Sequence, residues 1–147
     1  METISSWMQN DHVLIDAIAE RATAAAAARD GATLEREAGH FLSRLRRHIE
    51  MEEGVLFPAF EQRTGMADGG PSVQMRVEHE QMRPILQQMQ DAAAAADGAA
   101  WQRAAQALHD ILLPHNIKEE QMMYPMLDEA MGADAQALLD EVKEMAV

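Results

Sequence analysis

The sequence contains no cysteine. Disulfides, thiolate-bound zinc, cysteine-ligated iron–sulfur clusters and cysteine nucleophiles are therefore excluded, and the chain suits a reducing compartment. The formal net charge of −13 argues against a nucleic-acid partner. No apolar run approaches the ~20 residues that span a bilayer, and the N-terminus shows no secretory signal. We therefore expect a cytoplasmic protein with neither a nucleic-acid nor a membrane partner.

Residues that favour β-strands are also scarce. Aromatic residues make up 4% of the chain, and no segment alternates polar and apolar side chains over the length of a strand. The residues that favour helices, such as alanine, methionine, glutamate and glutamine, are common instead. With 147 residues, the chain has the length of one ordinary domain. These features predict a single all-α domain over residues 1–147.

Glycine, proline and aspartate divide the sequence into four long helices and a short C-terminal helix. Ser6 is expected to begin the first helix, because Ser6 and Gln9 have the spacing of a capping box, and Thr33 is expected to begin the second. The predicted bounds are a first hairpin at about 6–62, a loop at 63–71, a second hairpin at about 72–131 and a tail helix at about 134–145. Short connections make consecutive helices antiparallel, which predicts an up-down-up-down four-helix bundle.

The two predicted hairpins share one sequence pattern. At an offset of 67 residues the two halves share many identical residues, including the pairs His12 and His79, His48 and His115, Glu52 and Glu119, Glu53 and Glu120, and Pro58 and Pro125. A repeat of this kind sets the architecture of a fold. We therefore expect two helical hairpins related by a pseudo-twofold axis.

Histidine and glutamate interrupt the apolar stripes that should face the bundle interior. The stripes of the two paired helices end in equivalent sets, which are His48, Glu52 and Val55 in the second helix and His115, Glu119 and Met122 in the fourth. His12 and His79 occupy the stripes of the other two long helices. Histidine and glutamate one turn apart lie on the same helix face, so each pair can bind the same metal ion.

A histidine–glutamate pair at this spacing is usually an exposed ion pair of little energetic value. Here all of these groups are predicted to be buried, and burial without compensation costs several kcal/mol per ion. Two divalent cations would compensate that cost, as in carboxylate-bridged dimetal bundles. Imidazole and carboxylate without thiolate suit iron, manganese or zinc. The metal ligands predicted in this way are His12, His48, Glu52, His79, His115 and Glu119.

The order His…His-x-x-x-Glu…His…His-x-x-x-Glu, with Phe57-Pro58 and Tyr124-Pro125 after the paired motifs, resembles hemerythrin and the bacterial hemerythrin-like HHE cation-binding domains. The resemblance covers roughly residues 7–130. It implies a non-haem centre of two iron ions in a four-helix bundle, with the four histidines as terminal ligands. It also implies that the two glutamates and an oxo or hydroxo group bridge the irons, and that O2, NO or peroxide binds at an open iron position.

Two departures from the oxygen carriers of that family leave the function open. Oxygen-carrying hemerythrin has a fifth histidine on the third helix, whereas Met75 and Arg83 stand four residues before and after His79. It also has an aspartate five residues after the last histidine, whereas Glu119 follows His115 by four. Three functions remain: a binding protein for sensing, storage or stress response, an enzyme such as an oxidase, peroxidase or NO reductase (or an iron-centre repair protein), and a redox-inactive metal-binding bundle. The sequence does not assign an oligomeric state.

Several residues near the motifs receive structural interpretations. Asp11 and Glu78, which precede the lone histidines, are expected to lie on solvated faces, with a hydrogen bond to an imidazole as the alternative. Tyr124 is expected to pack in the core, because its repeat-related residue is Phe57, with orientation of a ligand or relay of an electron as the alternative. The remaining assignments are Glu53 and Glu120 as surface or outer groups, His109 as an ordinary helix histidine, and His40 as the same or as the missing fifth ligand.

Overall fold

The computed structural model describes residues 2–146, and its regular structure is helical throughout. Seven α-helices follow one another along the described part of the chain, which are α1 (Ile4–Ala27), α2 (Gly31–Met51), α3 (Phe57–Thr64), α4 (Pro71–Ala94), α5 (Gly98–Lys118), α6 (Tyr124–Met131) and α7 (Ala135–Glu144). One turn of π-helix, Glu52–Leu56, joins α2 to α3, and a second, Glu119–Met123, joins α5 to α6. The four long segments pack as a bundle. No helix of residues 2–146 has the length and apolarity that a bilayer crossing needs.

Side-chain caps fix where the long helices begin. Thr3, not Ser6, is the first cap, and Ser6 completes the capping box from the third helical position, with N–H to hydroxyl distances of 2.9 and 3.0 Å. Asp30 accepts a hydrogen bond from the backbone N–H of Thr33, so the predicted cap at Thr33 was also three residues late. The repeat-related Asp97 caps α5 in the same way. Each correction lengthens a helix without changing the topology.

The turns that close the two hairpins meet at one end of the bundle. Arg29 and Ala96, which are repeat-related, both adopt left-handed backbone conformations, with φ of 57° and 53°. The residues that start the next helices are glycines, because a Cβ at Gly98 would lie 2.7 Å from the carbonyl oxygen of Ala26. A Cβ at Gly31 would lie 2.9 Å from Ala96. The glycines therefore allow the two hairpins to approach backbone to backbone at this end.

Two apolar clusters fill the bundle, with a polar layer between them. The cluster at the hairpin-turn end contains aromatic anchors such as Phe41 and Trp101. The cluster at the opposite end contains Phe57, Phe60 and Tyr124, and α7 covers it with an apolar face. The tail helix was predicted at about 134–145 and is found at Ala135–Glu144, after a short turn of 3₁₀-helix over Gly132–Asp134. The buried histidines and glutamates belong to neither cluster.

The π-turns shift the buried stripe by one residue. The predicted stripe continued from Glu52 to Val55, but Leu56 is fully buried and Val55 is not. In the second hairpin Met123 is fully buried, whereas the predicted Met122 is 42% exposed. A π-turn holds one more residue than an α-turn, so every later side chain rotates relative to the ideal helical period. The same shift turns Phe57 and Tyr124 inward.

Candidate metal centre

The structure brings the six predicted ligands into one layer of the bundle. Each long helix contributes a histidine, since His12 lies on α1, His48 on α2, His79 on α4 and His115 on α5. Glu52 and Glu119 are the first residues of the two π-turns. None of these six residues is more than 4% exposed. The bundle therefore buries the whole set at the level where the π-turns interrupt the α-helical hydrogen bonding.

The ligand atoms form two adjoining groups that share carboxylates. We define position 1 by His12 and His48, and position 2 by His79 and His115. Glu52 directs Oε2 toward His48 at 3.7 Å and Oε1 toward His79 at 3.1 Å. Glu119 directs Oε1 toward Nε2 of His12 and Oε2 toward Nε2 of His115, both at 3.2 Å. Each carboxylate thus offers one oxygen to each position, which is the arrangement of a bridging ligand.

The donor set fits divalent cations. Within each position, the ligand atoms of at least three residues lie within 4.8 Å of one another. Three buried atoms in this layer have no hydrogen-bond partner among the described residues, namely Glu52 Oε1, Glu119 Oε2 and His79 Nε2. A buried polar atom without a partner costs about 1–3 kcal/mol, so native proteins rarely tolerate it. All three atoms face position 2, where a cation would satisfy them together.

A carboxylate holds the outer nitrogen of every histidine in the layer. Each histidine donates its Nδ1–H at 2.7–2.8 Å, and the pairs are His12 with Glu120, His48 with Asp11, His79 with Glu53, and His115 with Glu78. This bond fixes the ring and directs Nε2 toward the interior, where it can bind a cation once it has released its proton. Metal-binding histidines are typically oriented by such partners, which also increase the basicity of the ligating nitrogen.

The hydrogen bonds of Asp11 and Glu78 confirm the alternative interpretation of these two residues. The solvated faces that were favoured for them are wrong, since they are 2% and 6% exposed. Arg44 donates to Asp11 at 2.8 Å, and Lys118 pairs with Glu78, so each carboxylate is balanced by a cation as well as by a histidine. The available signal was their repeat-related placement, one residue before each lone histidine.

The other two carboxylates join the hairpins. Glu53 of the first hairpin accepts from His79 of the second, and Glu120 of the second accepts from His12 of the first. The sequence correctly suggested outer groups but gave no partners. Arg83 also donates to Glu53, at 2.7 Å. These contacts make the docking of the hairpins and the orientation of the histidines interdependent.

Tyr124 packs in the core and also directs its hydroxyl into the layer. Its hydroxyl lies 2.7 Å from Glu52 Oε2 and 3.1 Å from Glu119 Oε1. It also lies 3.1 Å from Nε2 of His48 and 3.3 Å from Nε2 of His12. All four atoms belong to position 1, so the hydroxyl differentiates the two positions. The predicted packing of Tyr124 in the core is confirmed, since its side chain is fully buried in the same apolar cluster as Phe57. The comparison with Phe57 did not predict the contacts of the hydroxyl, which Phe57 lacks.

The carboxylates hold protons on two of the histidines. Burial by itself lowers the pKa of His12, but hydrogen bonds and charges from Glu119 and Glu120 outweigh burial and raise that pKa to about 9. Burial is outweighed in the same way at His79, where Glu52 is the main partner and the pKa rises to about 9. Without a cation, the layer therefore balances its buried negative charge with protons.

The two central carboxyl groups differ in their affinity for protons. Burial, reinforced by the charge of Glu119, raises the pKa of Glu52. Burial opposes ionisation of Glu119 too, but interactions with Glu52 and His115 hold the pKa of Glu119 well below its usual range. Burial and both carboxylates raise the pKa of Tyr124. The Tyr124 hydroxyl therefore keeps its proton as a hydrogen-bond donor in this environment.

The remaining histidines lie outside the layer. The side chain of His40 is 64% exposed and is near Glu37, so the structure does not support His40 as the fifth imidazole. His109 is also exposed and lines a groove between α1 and α5. The ordinary interpretation of both residues agrees with these positions.

The family comparison covers nearly the whole chain. The family described as hemerythrin HHE cation binding domain matches residues 3–145, a range that includes all four histidines and both glutamates of the layer. Neither the curated proteins nor the solved structures contain a match. A match of this extent, on a helical bundle with a buried histidine–glutamate layer, identifies the family. The chain belongs to the hemerythrin HHE cation-binding domain family.

Proposed function

We propose that the protein holds two iron ions, one at each position, and binds a small molecule there for sensing, storage or a response to oxidative or nitrosative stress. His12, His48, His79 and His115 are the terminal ligands in this proposal, and Glu52 and Glu119 bridge the two ions. The observation that carries the proposal is the set of three buried, unpaired ligand atoms at position 2. Protein side chains satisfy the corresponding atoms at position 1, whereas a cation is the natural partner at position 2.

The choice of iron rests on donor chemistry together with the family. Imidazole and carboxylate donors without thiolate suit iron, zinc and manganese. The resemblance to hemerythrin favours iron among these metals, and the absence of cysteine favours a reducing compartment, which we propose is the cytoplasm. Two iron ions would supply redox chemistry and affinity for O2, NO or peroxide. The protein supplies the arrangement of ligands and the exclusion of water.

The residues around the two positions are placed to handle a small polar ligand differently. At position 1, the Tyr124 hydroxyl is a hydrogen-bond donor among the ligand atoms. At position 2, the Phe57 ring stacks on His79, with 5.9 Å between ring centroids and an interplanar angle of 12°. The ring presents an apolar wall with no donor. We therefore propose that position 2 receives the small molecule, while Tyr124 holds the ligand atoms of position 1.

Anaerobic reconstitution with iron tests the proposal. Elemental analysis should give two iron ions per chain, and the absorption spectrum should change on addition of O2, NO or peroxide. The ligand variant His48→Ala should lose metal, whereas the matched histidine variant His109→Ala should keep it. A protein that retains only zinc, or whose iron spectrum is insensitive to all three molecules, would contradict the proposal. Reversal of the O2 spectrum on degassing indicates binding, and turnover of peroxide or NO indicates catalysis.

A further inference from the structure

A groove of about 750 Å³ opens between α1 and α5, separate from the metal layer. Its floor is apolar and includes Trp101, Leu108 and Leu112, and its α1 wall is made of small side chains such as Ala19 and Ala24. The lined part of α1 runs from Asp16 to Ala27, which is roughly 16 Å at 1.5 Å per residue. The groove is therefore about three helical turns long, which suits an elongated ligand.

The internal repeat shows that the groove is a specific feature of one face. The related face, between α2 and α4, carries larger or more apolar residues at the equivalent positions. Leu86 is equivalent to Ala19 of the groove, Leu42 to His109, and Ile49 to Asn116. All three of these counterparts are buried, at 4% exposure or less. Side chains thus fill the space between the helices on one side of the protein, whereas the equivalent space on the other side is open. General bundle geometry cannot account for the difference, since both faces share it.

The polar groups of the groove indicate what it would bind. Asp16 and Glu20 line it one helical turn apart on α1. Two neighbouring carboxylates, in a protein with a net charge of −13, favour a positively charged group. Trp101 lines the groove and is fully buried, and its indole N–H has no hydrogen-bond partner among the described residues. Because that nitrogen is itself buried, Trp101 offers the groove only its apolar ring, and the two carboxylates are what favour a charged ligand.

We propose that this groove binds an elongated apolar molecule with an ammonium group at one end. The ammonium pairs with Asp16 and Glu20, and the apolar chain covers Leu108 and Leu112. This inference does not depend on the proposed iron chemistry, because none of the groove residues is a predicted metal ligand. Most ligand sites combine an apolar surface with a few polar groups in this way.

Trp101 makes the groove directly observable. The chain has two tryptophans, and Trp7 packs in the opposite apolar cluster, so Trp7→Phe leaves Trp101 as the only indole fluorophore. The probe is dodecylamine, added below its micelle concentration to the full-length, metal-loaded protein. We expect the fluorescence of Trp101 to change and to saturate as the probe is added. Titration calorimetry should give the same dissociation constant. Absence of saturable binding would overturn the proposal.

Two sets of variants separate the groove from non-specific apolar binding. Ala19→Leu and Ala24→Leu fill the groove and should remove saturable binding, whereas Ala17→Leu, on α1 but outside the groove, should not. The paired variant Asp16→Asn with Glu20→Gln should weaken binding about fivefold, since exposed ion pairs contribute modestly. Circular dichroism and metal content verify that each variant is folded. Equal binding in the filled and open grooves would contradict the assignment.

The ligand itself is tested by removing its charge. Methyl dodecanoate carries an apolar chain but no ammonium group, so it should bind less tightly than dodecylamine, and the carboxylate variants should not change its affinity. If methyl dodecanoate binds as well as dodecylamine, the cation-recognition part is wrong.

Discussion

The hydroxyl oxygen of Tyr124 lies 2.7 Å from Glu52 Oε2, whereas the repeat-related residue, Phe57, can make no such bond. The hairpins otherwise repeat the layer closely, including the histidines, the bridging glutamates, the outer carboxylates and the π-turns. One oxygen atom therefore makes two otherwise equivalent halves unequal. The position beside Tyr124 has internal partners for its ligand atoms, and the position beside Phe57 leaves three unpaired.

Removing that oxygen should destabilise the metal-free protein. Tyr124→Phe deprives Glu52 and Glu119 of a buried donor, so the free energy of unfolding should fall by about 1–3 kcal/mol in urea denaturation. The ring remains, so packing is preserved and two metal ions should still bind. Loss of metal as severe as in His48→Ala would show that Tyr124 does more than donate a hydrogen bond.

Substitution of the central ligands should remove metal selectively. His48→Ala deletes one imidazole from position 1, and Glu52→Ala deletes a carboxylate shared by both positions. We expect Glu52→Ala to lose both ions and His48→Ala to affect position 1 more strongly. Elemental analysis after desalting measures this. The control is His109→Ala, and metal loss in that variant with retention in the others would refute the ligand assignment.

The outer carboxylates should tune metal affinity without setting stoichiometry. Asp11→Asn preserves the shape of a side chain that accepts from His48 at 2.7 Å but removes its charge. Loss of such an orienting partner typically weakens metal binding about 10–100-fold. Competition with a chelator measures the affinity. Asp110→Asn, an exposed aspartate bonded to Gln106, is the matched control and should leave the affinity unchanged.

The stability of the metal-free protein should fall as the pH is raised from about 6.5 to 9. The pKa values of His12 and His79 are raised to about 9 from 6.5, so the folded state binds protons that the unfolded state releases. That stabilisation is complete below pH 6.5 and is lost as the pH rises through about 9. Urea denaturation at several pH values measures it.

Metal should reverse this trend. The cations and the protons compete for the same nitrogen atoms, so metal uptake releases protons and becomes more favourable as the pH rises. The loaded protein should therefore keep its stability between pH 6.5 and 9. A metal-free protein with a flat profile over that range would contradict the placement of these histidines against carboxylates.

The sequence was sufficient to predict the fold class and the composition of the layer. Repetition at an offset of 67 residues, together with histidine on stripes that should be apolar, singled out His12 and its three counterparts. The prediction worked because the α-helical period holds accurately from the helix starts to the π-turns. Beyond Glu52 and Glu119 it gave the wrong inward residues, because a π-turn has no clear composition signal.

Which residues of different helices contact each other was harder to predict than which residues share one face of a helix. Asp11 lies beside its lone histidine in sequence but serves His48, which is 37 residues away. Such pairing depends on which neighbouring helix lies on which side, and helical periodicity does not specify it. Tyr124 illustrates the same limit, since the direction of its hydroxyl follows from the register change of the π-turn.

The contacts of Glu53 with His79 and of Glu120 with His12 have a consequence for assembly. Each runs from one half of the chain to the other, and the pseudo-twofold axis makes them reciprocal. Two chains that exchanged their second halves would restore every one of these bonds, giving a pair of complete centres in a dimer. Only the connection between Thr64 and Pro71 would need to extend, so its length and stiffness decide whether a chain closes upon itself.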